Sequence, residues 1–135
     1  MIARQKIPAK VPVTYKQTYQ YTDMTSGTTA QNFTLVGIPA DWVVTGIRIQ
    51  NITTWAATSL SSLQVQIGTA ASPSAYANPY ELTNSVTSTS VQISSPFTCP
   101  TTVAHDIIVR FVATGASMNA MSAGKLEVTL RVEPL

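Results

Sequence analysis

The chain has 135 residues, enough for one domain that buries about 68% of its unfolded surface without disulfide or metal staples. Apolar residues make up 44% and charged residues only 10%, and the single cysteine, Cys99, excludes an internal disulfide and a Cys-rich zinc site. The net charge of +2 hides an asymmetry: four of the eight Lys and Arg lie in the first sixteen residues, which hold no Asp or Glu, and the remainder is net negative.

In chain order, residues 1–12 read as an extended basic N-terminal arm. Arg4, Lys6 and Lys10 alternate with Ile2, Ile7 and Val11, and Pro8 and Pro12 stiffen the backbone. No apolar stretch marks a secretory signal, so synthesis and folding in a cytosol are expected. Val13–Thr22 reads as a strand with Val13, Tyr15, Tyr19 and Tyr21 on one face. Asn32–Val36 is a weaker candidate. Val43–Gln50 sets Ile47 and Ile49 opposite Arg48 and Gln50, and Leu63–Ile67 sets Leu63, Val65 and Ile67 opposite Gln64 and Gln66. Turn clusters fall at Thr25–Thr28, Gly37–Pro39, Gly68–Pro73 and Asn78-Pro79.

Ser85–Ser94 is again weak. Asp106–Ala113 places Ile107, Val109, Phe111 and Ala113 on one face, with Ile108 and Val112 on the other, the pattern of a strand covered on both sides. Lys125–Glu133 alternates strictly, with Leu126, Val128, Leu130 and Val132 on its apolar face, Gly124 before it and Pro134 at its end. No segment has helical period. The expectation is an all-β, antiparallel β-sandwich over 13–135, jelly-roll-like, with the extended arm in front.

Little in this chain can do chemistry. His105 is the sole histidine, and in a strand it points away from Asp106. A triad or a zinc site needs several converging partners. The six carboxylates are scattered. Glu127 and Glu133 share a strand face but stand about 20 Å apart by strand rise, too far for paired-carboxylate glycoside hydrolysis. No phosphate-binding glycine loop and no Asp-rich calcium loop is present. The chain is expected to be no enzyme, with no cofactor and no metal.

Binding is the remaining class. Trp55, between strands, can cap the sandwich or meet a partner. Tyr76 and Tyr80, flanking Asn78-Pro79, can form an interface or stack on a glycan, with Glu81 beside them. The tyrosine stripe offers nucleic acid a stacking surface only weakly, because Lys16 points to the opposite face. The arm has three readings: a solvated tail, a docking segment in which Arg4, Lys6, Ile7, Lys10 and Val11 lie along a partner, or a contact to nucleic acid.

Three stretches carry a family likeness. They are Leu63-Gln64-Val65-Gln66-Ile67-Gly68-Thr69 followed by Ala75-Tyr76-Ala77-Asn78-Pro79-Tyr80-Glu81-Leu82, then Ile107-Ile108-Val109-Arg110-Phe111-Val112-Ala113-Thr114-Gly115, then Met121-Ser122-Ala123-Gly124-Lys125-Leu126-Glu127-Val128-Thr129-Leu130. Over residues 43–133 the chain resembles the small β-sandwich virion proteins of tailed bacteriophages, capsid decoration or cement proteins above all. The resemblance implies a jelly-roll body, a homotrimer, terminal arms that clamp neighbouring coat subunits, and no catalytic residues to carry over. It makes the expected function a structural one at the virion's capsid surface. The expected partner is the major capsid protein, with no membrane and no nucleic acid. The alternative is a tail, baseplate or fibre module that binds host-surface glycans through Trp55, Tyr76 and Tyr80. A small hydrolase is the third class, disfavoured by the single histidine.

Overall fold

A computed structural model describes residues 11–83, 88–89 and 104–134. The described residues form eight strands: β1 (Val13–Gln20), β2 (Ala30–Ile38), β3 (Trp42–Ala56), β4 (Ser62–Gly68), β5 (Ala77–Glu81), β6 (Ser88–Thr89), β7 (His105–Thr114) and β8 (Ala123–Pro134). The only helical elements among the described residues are two single 3-10 turns, Tyr21–Asp23 and Met118–Ala120. The strands form two four-stranded sheets, in the orders β1-β8-β3-β6 and β2-β7-β4-β5. All pairings are antiparallel. Four of them, β1 with β8, β2 with β7, β3 with β6 and β4 with β5, are the rungs of one long hairpin. Alternate rungs fall in opposite sheets, so the hairpin is rolled up into a sandwich.

Period two drives this arrangement. On β8 every second residue from Leu126 to Val132 is buried, and Lys125, Glu127, Thr129 and Arg131 point outward. On β7, Ile107, Val109, Phe111 and Ala113 are buried, and Ile108 on the outer face is buried too. β7 is central in its sheet, between β2 and β4, as its two apolar faces predict. Leu63, Val65 and Ile67 of β4 and Ile47 and Ile49 of β3 complete the two inner faces. Each fully buried side chain of this size stabilises the fold by about 1.5–3 kcal/mol. Between the sheets Tyr19, Phe33, Phe111 and Trp55 form an aromatic cluster with ring centroids 5.0–5.9 Å apart.

The strands depart from the expected ones in three places. First, β3 runs on to Ala56, through the segment read as a loop. Its register shifts against β8 near Thr45, near Ile52 and between Thr53 and Ala56. Asn51 keeps the inward parity of Ile47 and Ile49, and Ile52 the outward parity of Arg48 and Gln50, so residue type rather than position misleads there. Past the shift at Ile52 the alternation breaks: Thr53 turns out and Trp55 turns in. Second, the Tyr-rich stretch read as a loop around Asn78-Pro79 contains β5. Pro79 is tolerated there because, among the described residues, β5 is an edge strand bonded to β4 alone. Third, β1 ends at Gln20, so Tyr21 leaves the tyrosine stripe for a 3-10 turn and is 38% exposed, whereas Tyr15 and Tyr19 are core.

Gly124 sits inside β8 rather than ahead of it. Its φ is +144°, and an added Cβ would lie 2.2 Å from the Trp55 ring. The glycine makes room for the indole. At this end of the sandwich the loops are stitched by backbone bonds: Met118 N–H donates to Thr28, Asn119 N–H to Ser26, and Ser61 N–H to Thr114.

Candidate functional site

The sandwich presents two outer faces of different chemistry. On the β1-β8-β3 face, register sets side chains in rows. Lys16, Thr129 and Arg48 form one row, and Thr18, Glu127 and Gln50 the next. Arg131 stands beside Thr14 and Gly46, and Lys125 beside Gln20 and Thr53. Lys16 reaches Glu127 at 3.8 Å, and Arg131 reaches Glu133 at 3.2 Å. Arg48 is exposed near the centre. Four cations thus share this face with two carboxylates.

The β2-β7-β4 face is amide- and hydroxyl-lined. Arg110 is flanked by Asn32 and Gln66, Ile108 by Thr34 and Gly68, and Val112 by Ala30 and Gln64. Among the described residues Arg110 is the only cation on it, and Asp106 and Glu81 belong to the same sheet. Charge is therefore segregated across the thickness of the sandwich.

Glu81 is structural. Ser62 Oγ donates to its Oε1 at 2.6 Å, and Leu63 N–H and Thr83 Oγ1 donate to its Oε2 at 2.9 and 2.7 Å. Burial pushes its carboxyl up. The hydrogen bonds from Ser62, Thr83 and Leu63 outweigh that and hold it below the ordinary glutamate value. The carboxylate ties the end of β5 to the start of β4.

His105 opens β7. The Tyr76 hydroxyl and His105 Nε2 are 2.7 Å apart, and the rings are stacked 10° from parallel. Among the described residues no three His, Cys, Asp or Glu side chains converge on a metal site. Tyr19 lies wholly in the core. Burial, with the Asp23 carboxylate nearby, pushes its phenol far up, so the ring stays neutral.

Of the residues singled out from sequence, Arg4, Lys6, Ile7 and Lys10 lie outside the described residues, as does Cys99. Val11 is 51% exposed and leads through Pro12 into β1, the edge strand of the basic face. The structure buries Trp55 against Phe111 and Gly124, and buries Tyr76 beside His105. Neither offers a ring face to a ligand, and both pack the fold. Tyr80, opposite Val65 in β5, is partly buried against the core. The three aromatics do not form one surface. The row of Lys16, Arg48, Lys125 and Arg131 was not singled out from sequence. Its signal was there in the outward parity of β8, but Arg48 joins it only through strand pairing.

No protein-family model matches the chain, and no curated protein matches it in sequence. Among solved structures, a chain of the "Cyanophage Pam1 capsid asymmetric unit" is similar in fold. The TM-score is 0.62 at 16% sequence identity, over 98% of this chain and 94% of that one.

Proposed function

We propose that this chain is a structural virion protein that binds the surface of an assembled phage capsid and stabilises the shell, as a cement or decoration protein does. One observation carries the reading: the fold likeness to a chain of a cyanophage capsid unit spans nearly the full length of both chains. The strand orders 1-8-3-6 and 2-7-4-5 favour a jelly roll, the body that such proteins use. The partner is the major capsid protein, and the working unit is a homotrimer.

The mechanism is linkage. A protein that binds the assembled lattice and not its free subunits stabilises the lattice by mass action, by about 2.7 kcal/mol at a hundredfold excess over Kd. A trimer adds avidity, because three arms engage within reach of one another. No catalysis is part of the function. The glycan-binding alternative loses support because Trp55 and Tyr76 are buried.

Co-sedimentation with empty shells tests the reading. The shells are those of the coat protein encoded with this chain, and free coat subunits are the control. Binding to shells alone is expected, and equal binding to free subunits would remove the linkage mechanism. The His105→Ala variant should bind like the parent, with a stability loss of about 0.5–2 kcal/mol from the lost Tyr76 contact. A folded variant that has lost a measurable turnover would make the chain an enzyme.

A further inference from the structure

We infer that the outer face of the β1-β8-β3 sheet, centred on Arg48, is the side that docks, and that it takes an acid-rich protein surface. The inference rests on the capsid-binding reading and adds which side of the sandwich faces the shell and what chemistry it meets there. Four of the five cations in the described residues, Lys16, Arg48, Lys125 and Arg131, share this face. Two carboxylates, Glu127 and Glu133, accompany them in the strands, so the face itself is net positive, and Asp23 and Asp41 lie at its ends, after β1 and before β3. The opposite sheet carries Asp106 and Glu81 against the single Arg110 and is net negative. In a chain with only 10% charged residues, this segregation sets up a field across the sandwich that orients an approaching acidic surface.

Continuity with the arm strengthens the assignment. The arm's Arg4, Lys6 and Lys10 precede β1, the edge strand of this same sheet. The segment that carries these three cations thus joins the fold at the edge of this face.

The occupant is protein rather than nucleic acid. Glu127 and Glu133 among the cations need hydrogen-bond donors opposite them, which a protein surface offers and a phosphodiester backbone does not. Among the described residues of β1, β8 and β3 no outward side chain is aromatic and able to stack on bases, because Tyr15 and Tyr19 point into the core.

Two double variants with the same change in net charge test the assignment on the full-length protein. Arg48→Gln with Lys125→Gln removes two positive charges from the proposed face. Asn32→Asp with Gln66→Glu adds two negative charges beside Arg110 on the other. Binding to empty shells is measured at about 50 mM salt, with melting temperatures confirming that both variants fold. The first pair should weaken binding at least fivefold. The second should change it less than twofold. The difference should shrink at about 0.5 M salt, where the screening length falls to a few ångströms. If the parent binds and the second pair weakens binding while the first does not, the docking side is wrong and the capsid reading stands. Failure of the parent to bind shells would instead overturn the capsid reading. Binding of a labelled 40-mer DNA duplex by the parent, lost in the first pair, would assign the face to nucleic acid and overturn the inference.

Discussion

Gly124 and Trp55 show how one side chain can depend on the absence of another. The indole occupies the space where a Cβ on residue 124 would stand, and the backbone there has a φ that L-residues resist. Gly124→Ala should cost on the order of 2–4 kcal/mol, from overpacking and strain together. A fall in melting temperature of roughly 10 °C is expected for a chain of this size. An unchanged melting temperature would mean that the ring moves aside freely. Glu81 gives a pH signature. Its carboxyl is held below the ordinary value near 4.5, so its contribution is present above that value and is lost as pH falls through the lowered one. The melting temperature of Glu81→Gln should therefore lie below the parent's at neutral pH, and the gap should close in acid. A gap that persists at low pH would show that the hydrogen bonds do not depend on the charge. At this scale the sequence told which residues were aromatic but not where they faced. Trp55 was ambiguous because two bulges in β3 precede it. Tyr76 could not be placed without its pairing with His105, 29 residues away.

Strands that alternate strictly were legible with nearly correct bounds. β4 and β8 were read from parity alone, and the two apolar faces of β7 foretold its central place. The misreadings have separate causes: residue type contradicts parity at Asn51 and Ile52, register shifts follow them in β3, and an edge strand admits a proline. Asn51 is buried and donates Nδ2–H to the Leu82 carbonyl at 3.1 Å, bridging the two sheets, while Ile52 beside it faces out. Residue type points the wrong way at both positions. β5 was hidden by Pro79, which only an edge strand allows. The first element needs nothing before it. β1 is held by its full ladder to β8, from Val13 opposite Val132 to Gln20 opposite Lys125. Deleting Met1–Pro12 should leave circular dichroism and melting temperature nearly unchanged, and should weaken shell binding by tenfold or more through lost avidity. Binding equal to that of the full-length chain would place all recognition in the sandwich.

At the scale of the molecule, composition told the fold class early. Low charge and 33 Ser and Thr pointed toward a β-rich protein before any strand was placed. Which strands pair across the sandwich was not legible, because the rungs of the rolled hairpin join segments as far apart as Val13 and Val132. The segregation of charge between the outer faces was hidden for the same reason. It needs the parity of three strands and their register at once. The central claim is that this chain strengthens a shell by binding the assembled lattice. Its most direct test is the thermal disruption of empty shells, followed by light scattering across a titration of the protein. The disruption temperature should rise with concentration and keep rising slowly above saturation, as mass action requires. Shells that disrupt at the same temperature with and without saturating protein would contradict it.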